Sequence, residues 1–523
     1  MDVDRRSLLF SRDGTDAQRN GPATAAGSVS ARILTEYFNL MTSSFPEIRQ
    51  FIDGEWRRGS GTSAETVLDP ATARPLTEFA HAGLDDVDAA LDAAARSATG
   101  WRATAPEERY RVLRRAADLL RARIDTAVPV LSREQGKPLA ESRAELEGSA
   151  AILDWYAEEG RRAYGRIVPG APGSRLMVVQ EPVGPVAAFT PWNFPATTVT
   201  RKVGAALAAG CTIVIKASEE TPATAVAVFE CLAQAGLPAG VANLVLGNPA
   251  QISERLLKSP VIRKVSLTGS IGVGRVLGHL AVENDLVTTM ELGGNAPVIV
   301  FDDVDVDAVA IACATAKFRN AGQVCNVPSR FYVHERVVDR FIKRVVEFAR
   351  NLRVRPGVEA DSQMGALANA RRRDVMVGFV DDARAHGATI HDVGRLPGDD
   401  GFFFAPTVVA NVPDDAKIMR EEVFGPIVPV ARFSDTDDVI RRANDTTYGL
   451  GSFVFTESLD LATRVSDALE AGMVGVNTTV LSRTETPFGG IKASGHGYES
   501  GIEGLEAYMR RKAILQHSPL RSV

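Results

Sequence analysis

The stretch that decides the fold is VGPVAAFTPWNFPATTVTRKVGAALAAGCTIVIKASE, residues 183–219. It predicts a strand over VGPVAAFT, a helix over RKVGAALAAG (201–210) that ends at Gly210, and a second strand over TIVIKA. Both predicted strands are short and almost entirely apolar, which is typical of strands that are covered on both faces. Two such strands joined by a helix predict a parallel βαβ unit.

The same alternation continues along the chain. The segments VANLVLG (241–247) and KVSLTGS (264–270) predict further strands, and a second α/β pattern begins after MELGGNAPVIVF (290–301). Upstream, residues 106–125 predict an amphipathic helix. The segment 174–184 is expected to pair with EAYMRRKAILQ near the C-terminus. We therefore expect an α/β protein with a doubly wound parallel sheet.

Length and composition exclude several classes of protein. A chain of 523 residues exceeds one simple core, so two or three domains are expected. A net charge of −6 without a basic patch argues against a nucleic-acid partner. The four cysteines lack the spacing of a disulfide framework or a zinc site, and no metal is expected. No apolar run reaches the roughly 18 residues of a membrane helix.

The first 45 residues are rich in Ser, Thr, Arg, Gly and Ala and show little periodicity. We interpret 1–45 as a flexible extension, with Met41 as a plausible alternative start of translation. The segment has no secretory apolar core, and its acidic residues argue against a transit peptide. The protein is expected to be cytoplasmic.

Polar residues follow the predicted strands where each one ends, and ligands bind at the carboxyl ends of parallel strands. Lys216 and Glu219 suit the hydroxyls of an adenosine ribose, and Glu219 would repel a 2′-phosphate, which favours NAD over NADP. The amides of GSIGVG (269–274) could face a pyrophosphate, although an ordinary strand–helix turn explains that segment equally well. The predicted cofactor residues at these strand ends are Thr190, Trp192, Lys216, Ser218, Glu219, Gly269, Ser270 and Leu292.

Two further residues could carry chemistry. Cys325 lies in FRNAGQVCNVPSR (318–330), whose polar and glycine-bearing character argues against a simple core cysteine. Glu291 ends a strand-like segment and precedes Gly293-Gly294, where a ligand can approach the backbone closely. From the residues alone, Cys325 could still be a buried core residue and Glu291 a solvated surface charge.

Seven motifs, in order, resemble the aldehyde dehydrogenase superfamily: FTPWNFP, KASEETP, LTGS, ELGGNAP, FRNAGQVC, EEVFGPIVPV and PFGGIKASG. The resemblance covers residues 46–515. It implies an NAD-binding domain (46–165 and 183–292), a catalytic domain (293–490) and a small β arm for oligomerisation (166–182 and 491–523). A homodimer or homotetramer is expected from it.

The resemblance also implies roles for single residues. Cys325 matches the nucleophile, Glu291 the general base and Asn193 the oxyanion donor. Glu422 and Phe424 join Trp192 and Ser270 in lining the cofactor. The expected reaction is NAD(P)-dependent oxidation of an aldehyde to an acid through a thiohemiacetal and a thioester, and Glu291 favours hydrolysis of that thioester over transfer to coenzyme A.

The expected substrate depends on two arginines. Arg319 precedes Cys325 by six residues and Arg201 follows Asn193 by eight, as in the succinate-semialdehyde dehydrogenases that this pair resembles. An arginine binds a carboxylate through two parallel hydrogen bonds. Ser482 matches a third carboxylate contact, while Arg483 beside it departs from the family pattern.

Other interpretations remain open from the sequence. Arg201 and Arg319 could form internal ion pairs, and glutarate semialdehyde, 2-oxoglutarate semialdehyde or a broad range of aliphatic aldehydes could be the substrate. A cofactor-free thiol hydrolase and a catalytically silent relative are the alternatives outside this activity. The strand-end residues argue against the first, and intact Cys325, Glu291 and Asn193 argue against the second.

Overall fold

A computed structural model describes residues 45–517. The predicted extension 1–45 lies outside this range except for Phe45, as do residues 518–523. The strands are β1 Gln50–Ile52, β2 Glu55–Arg57, β3 Ala64–Asp69, β4 Arg74–Ala80, β5 Arg166–Val168, β6 Ser174–Pro182, β7 Val186–Phe189, β8 Ile213–Lys216, β9 Ala242–Val245, β10 Lys264–Thr268, β11 Val287–Glu291, β12 Ala296–Val300, β13 Pro328–His334, β14 Thr389–Asp392, β15 Thr407–Ala410, β16 Ile427–Phe433, β17 Gly451–Phe455, β18 Met473–Val476, β19 Gly495–His496 and β20 Met509–His517.

The helices are α1 Leu84–Ala103, α2 Pro106–Ala122, α3 Ile124–Gln135, α4 Leu139–Gly160, α5 Pro195–Ala209, α6 Pro222–Gln234, α7 Pro249–Leu257, α8 Ile271–Glu283, α9 Val306–Phe318, α10 Val338–Asn351, α11 Ala370–Ala385, α12 Lys417–Arg420, α13 Thr436–Asn444, α14 Leu459–Ala468 and α15 Gly501–Glu506. The helix predicted over 106–125 ends earlier, because the chain leaves helical geometry at Arg123 before α3 begins. Within residues 45–517, no helix is long and apolar enough to cross a membrane.

The first large sheet has eight strands in the order β19-β11-β10-β7-β8-β9-β1-β2. Its five central strands run parallel, while β19, β1 and β2 are antiparallel additions at the two edges. Strands β7, β8 and β9 are buried at every residue, as expected for strands covered by helices on both faces. The α/β class is therefore confirmed.

The crossover helix α5 ends at Gly210, as predicted, but it begins at Pro195, six residues before the predicted start at Arg201. Pro195 occupies its first turn, where no backbone N–H is needed, and Gly210 ends it with a φ of +91°. Fourteen of its fifteen residues are buried, although two of them are the cations Arg201 and Lys202. Because buried cations need partners, Arg201 and Lys202 are expected to contact polar or acidic groups of the surrounding segments.

The second large sheet, drawn from residues 296–476, has the order β14-β15-β16-β13-β12-β17-β18 and is parallel except for β14. A third sheet joins β20, β6 and β5 in antiparallel pairs, which confirms the predicted pairing of 174–184 with the C-terminal segment. Gly495–His496, grouped with the arm in the sequence-based domain ranges, instead pairs with β11 in the first sheet. Gly495 permits this, since a Cβ there would lie 1.8 Å from the Met290 carbonyl oxygen.

Candidate active site

Cys325 lies in the loop between α9 and β13. The loop begins with a tight turn in which Asn320, Ala321 and Gly322 all have positive φ. At Gly322 a Cβ would stand 2.2 Å from the carbonyl oxygen of Gly425, so only glycine permits this close approach. The turn brings half-buried Cys325 against a small apolar cluster of Leu450, Met473, Phe488 and Leu481.

Two consecutive glycines let other groups approach Cys325. A Cβ on Gly294 would lie 2.4 Å from the Cys325 carbonyl oxygen, and a Cβ on Gly293 would lie 2.4 Å from a Glu422 carboxylate oxygen. Glu422 Oε1 accepts a 2.9 Å hydrogen bond from the Gly294 N–H. The structure therefore brings Glu422 and Cys325 to the segment that directly follows Glu291.

Asn193 follows β7 and is buried. Its Nδ2 donates to the Gln323 carbonyl oxygen at 3.0 Å, two residues before Cys325. Its own carbonyl oxygen accepts from Lys137 Nζ at 2.7 Å and from Asn320 Nδ2 at 3.0 Å. The carboxamide of Asn193 thus faces the loop that carries the cysteine.

Glu291 ends β11 and is only 2% exposed. Neither of its carboxylate oxygens has a hydrogen-bond partner among the described residues. Burial and the nearby charge of Glu499 raise the pKa of Glu291 well above its usual value, while Lys202 and Arg201 oppose that rise. A buried carboxyl with free oxygens and a raised pKa suits a group that exchanges a proton.

The thiol of Cys325 is set by opposing effects. Burial and the negative charges of Glu422 and Glu291 raise its pKa to about 12, while the positive charge of Arg201 acts to lower it. The protein without ligands therefore holds Cys325 as a thiol at neutral pH. The thiolate, which is the nucleophilic form, requires added positive charge or proton removal at this site.

The predicted substrate residues separate into two groups. Arg201 is nearly buried, donates from a terminal nitrogen to Ser482 Oγ at 2.6 Å and lies 4.4 Å from the centre of the Phe488 ring. Its only ion pair in the described chain is a 3.9 Å contact with Glu499, and its Nε–H has no partner there. The internal ion pair considered from the sequence is thus present in a loose form.

Arg319 is exposed, and its guanidinium lies 5.5 Å from the centre of the Phe194 ring. No ion pair to it occurs within residues 45–517. The structure brings Arg201 and Ser482 together beside the apolar cluster at Cys325. Arg319 lies against the ring of Phe194, the residue that follows Asn193.

Most of the predicted cofactor residues lie at the carboxyl ends of the parallel strands in the first sheet. Lys216 Nζ contacts the Glu219 carboxylate at the end of β8, and Ser270 Oγ accepts from the Val273 N–H at the start of α8. The Trp192 and Phe424 rings meet edge to face, with centres 5.6 Å apart. Ser218 Oγ accepts from the Glu220 N–H, the Gly269 N–H donates to the Glu291 carbonyl oxygen, and the Leu292 N–H donates to the Ser494 carbonyl oxygen.

Two observations support a dinucleotide at the carboxyl ends of these strands. The Thr190 and Thr268 hydroxyls are buried at the ends of β7 and β10 without partners in the described chain. A Cβ on Gly274, in the first turn of α8, would collide with the Leu292 side chain at 2.6 Å, so the helix packs closely against the residue after Glu291. Such unpaired hydroxyls beside a helix N-terminus suit phosphate and ribose oxygens.

Sequence reasoning missed three charged residues of the site. Lys202 Nζ bonds to Glu499 Oε1 at 2.5 Å and to Ser266 Oγ at 3.0 Å, and Lys137 contacts the Asn193 main chain. Adjacent cations in the otherwise apolar α5 are a signal that could have revealed Lys202. Glu499 has no comparable signal, because it approaches from a loop about 300 residues further along the chain.

The chain matches the aldehyde dehydrogenase family model over residues 56–514. It is 44% identical over 468 residues to a Comamonas testosteroni protein named 4-(hydroxymethyl)benzenesulfonate dehydrogenase, covering 89% of this chain and 97% of that one. It is 41% identical over 462 residues to an Escherichia coli protein named NADP(+) succinate-semialdehyde dehydrogenase, and the match covers 88% of this chain and 96% of that one. A glutarate-semialdehyde dehydrogenase of Pseudomonas putida is 39% identical, covering 89% and 96%.

Solved structures agree with this. The succinate-semialdehyde dehydrogenase of Burkholderia pseudomallei superposes with a TM-score of 0.89 at 40% identity, covering 91% of this chain and 99% of that one. Betaine aldehyde dehydrogenase of Staphylococcus aureus in complex with NAD+ superposes with a TM-score of 0.89 at 32% identity, covering 94% and 98%. The resemblance drawn from the seven motifs is confirmed. The chain belongs to the aldehyde dehydrogenase family, whose members are NAD(P)-using oxidoreductases that oxidise aldehydes.

Proposed function

We propose that this enzyme oxidises a short aldehyde that carries an anionic group at its far end, with succinate semialdehyde as the leading substrate and NAD as the preferred cofactor. The observation that carries the proposal is Arg201, a nearly buried guanidinium that contacts the Ser482 hydroxyl and whose Nε–H has no partner within residues 45–517. Its charge acts on the Cys325 thiol. A buried cation with a free donor beside a nucleophile is suited to an anion on the substrate.

The names of the relatives support an anionic substrate. Succinate and glutarate semialdehydes both end in a carboxylate, and the Comamonas name describes a sulfonate. Glutarate semialdehyde and a sulfonated aromatic aldehyde are therefore the rivals. Arg319, exposed at the ring of Phe194, would supply a second cation for the anion.

In the proposed mechanism, the Cys325 thiol gives its proton to the Glu291 carboxylate, which passes it to solvent, and the resulting thiolate attacks the aldehyde carbon to form a thiohemiacetal. The Asn193 Nδ2–H exchanges its bond to the Gln323 carbonyl for the substrate oxyanion, an interaction whose loss typically costs ~10²–10³ in rate. A nicotinamide cofactor held by the strand-end residues would supply the acceptor for the hydride of this carbon. Glu291 then removes a proton from the water that hydrolyses the thioester. Burial and the charge of Glu499 raise the pKa of Glu291, and the charge of Lys202 opposes that rise.

The proposed cofactor contacts follow the first sheet. Lys216 and Glu219 would hold the adenosine ribose, Ser270 and the N-terminus of α8 the pyrophosphate, and Glu422 the nicotinamide ribose. Thr190, Trp192, Ser218, Gly269, Leu292 and Phe424 would line the same groove. The NAD preference rests on Glu219, because its carboxylate would repel a 2′-phosphate.

Two further parts of the proposal concern assembly and compartment. The three-stranded sheet exposes Ile167 and Leu515, at 73% and 68%, which supports a homodimer or homotetramer formed through this arm. A cytoplasmic location is supported by the chemistry of Cys325, which must stay reduced to act.

Steady-state kinetics with matched aldehydes test the substrate. We expect succinate semialdehyde to have a kcat/KM at least tenfold above that of butanal, and Arg201→Met to remove most of that ratio. A charge-assisted hydrogen bond is worth about 1.5–3 kcal/mol, which corresponds to roughly 10- to 150-fold. Equal use of both aldehydes by the unaltered enzyme would overturn the anionic substrate. A higher kcat/KM for glutarate semialdehyde would select that rival.

A further inference from the structure

A buried ion pair lies behind the candidate active site. Lys137 and Glu145 have fully buried side chains, and Lys137 Nζ donates to Glu145 Oε2 at 2.5 Å. Lys137 stands between α3 and α4, and Glu145 lies in the second turn of α4. A buried ion pair contributes little net stability, because removing two charges from water costs about as much as their attraction returns. The contacts that the pair makes with other segments are therefore informative.

The pair holds both ends of the segment that carries Asn193. Lys137 Nζ donates to the Asn193 carbonyl oxygen at 2.7 Å and lies 4.0 Å from the centre of the Phe194 ring. Glu145 Oε1 accepts from the Ala196 and Thr197 N–H groups, at 2.9 and 3.3 Å, in the first turn of α5. The Asn193 backbone is thus fixed from behind by one cation and one anion.

A second carboxylate of α4 holds the loop that leads to Cys325. Glu141, one turn before Glu145 on the same helix face, accepts from the Asn320 N–H at 2.8 Å through Oε2. Asn320, with a φ of +48°, donates from Nδ2 to the same Asn193 carbonyl oxygen at 3.0 Å. Helix α4 therefore contacts both segments whose separation sets the distance from Asn193 to Cys325.

We propose that Lys137 is a positioning residue for Asn193, acting with Asn320 on one carbonyl oxygen to fix the Asn193 carboxamide relative to the Cys325 loop. An oxyanion donor must lie within about 2.7–3.1 Å of the developing charge. A shift near 1 Å typically costs about 10²-fold in rate. The inference rests on the proposed role of Asn193. A purely architectural role would stabilise the fold without this dependence.

A double-mutant cycle between positions 137 and 193 tests the proposal. We expect Lys137→Met to lower kcat about 10- to 100-fold with Asn193 present, and less than about threefold in the Asn193→Ala background, because a donor that is absent cannot be misplaced. The rate at which iodoacetamide alkylates Cys325 and the dissociation constant for NAD should stay unchanged. Lys137→Arg, which keeps a cation, should restore part of the activity.

A second variant covers the case in which Lys137→Met fails to fold. Asn320→Gly keeps the positive φ and the N–H to Glu141 while removing the Nδ2 donor, and its loss of kcat should likewise vanish with Asn193→Ala. Equal losses in both Asn193 backgrounds, for whichever variant folds, would overturn the positioning role. If Asn193→Ala alone leaves kcat unchanged, the proposed role of Asn193 fails, and the positioning inference fails with it.

Discussion

At the scale of single residues, the Cys325 thiol is governed by charges that act in opposite directions. Burial, Glu422 and Glu291 favour the neutral thiol, and Arg201 favours the thiolate. Arg201 therefore has a second effect besides its proposed contact with the substrate. Because the two effects depend on different observables, one substitution can separate them.

We predict that Arg201→Met raises the pKa of Cys325. The arginine charge stabilises the thiolate, so its removal shifts the ionisation to higher pH and lowers the thiolate fraction at any pH below the new pKa. The pH profile of iodoacetamide alkylation measures this directly, with Cys325→Ala as the blank. Arg319→Met is the matched control, since the Arg319 guanidinium is exposed against the Phe194 ring and solvent screens its charge. An unchanged profile in Arg201→Met would contradict the prediction.

Glu219 is predicted to decide between the two dinucleotides. In Glu219→Ser the carboxylate that would repel a 2′-phosphate is replaced by a donor, so kcat/KM with NADP relative to NAD should rise about tenfold or more. The neighbouring Glu220 supplies the control, because it bonds Asn369 and Arg371 instead of Lys216. Glu220→Gln should leave the ratio close to that of the unaltered enzyme. A ratio that responds equally to both substitutions would argue against a specific role of Glu219.

At the scale of elements, the close contact between the Gly293-Gly294 segment and the Cys325 loop depends on glycine at position 294. In Gly294→Ala the new Cβ would meet the Cys325 carbonyl oxygen at 2.4 Å and Leu450 Cβ at 3.1 Å. The Cys325 loop must move, and we expect kcat to fall by about 10²-fold or more. Gly278 in α8 is the control, since a Cβ there would meet no atom of residues 45–517 within 4 Å outside its chain neighbours and its own helix backbone. Gly278→Ala should keep full activity and gain about 1 kcal/mol of stability in chemical denaturation.

The elements also show what could be predicted from the sequence. Buried apolar strands on either side of a helix are local patterns, so β7, β8 and the end of α5 at Gly210 were predicted near their observed positions. The start of α5 at Pro195 was not predicted, because the β-branched threonines in its first turns weaken the helical pattern. The end of the helix at Arg123 was not, because the residues on both sides favour helix and only tertiary packing separates α2 from α3. The pairing of β6 with β20 was predicted, although nothing local sets its register over nine residue pairs.

At the scale of the whole molecule, the candidate site draws on segments that are far apart in sequence. Arg201, Ser482 and Glu499 meet across almost 300 residues. The family motifs gave the identity of Arg201 and Ser482, but they did not indicate that Glu499 would compete for the same guanidinium. Lys137 was also not predicted, because its contact with the site is to the main-chain carbonyl oxygen of Asn193, and a sequence pattern does not indicate such a contact.

The arm supplies the prediction that belongs to the whole molecule. Ile167 and Leu515 lie on different strands of the three-stranded sheet, where Val168 and Ile514 are exposed as well, and apolar side chains grouped in this way favour an interaction surface. We expect the double substitution Ile167→Glu and Leu515→Glu to shift the particle mass measured by light scattering from an oligomer to one chain, because charges would lose their hydration at the contact. Leu459→Glu is the control, at a residue 80% exposed in the first turn of α14. If the unaltered protein already has the mass of one chain, or if Leu459→Glu dissociates it equally, the arm is not the assembly surface. Unchanged alkylation of Cys325 in the dissociated variant would further show that each chain builds its own site.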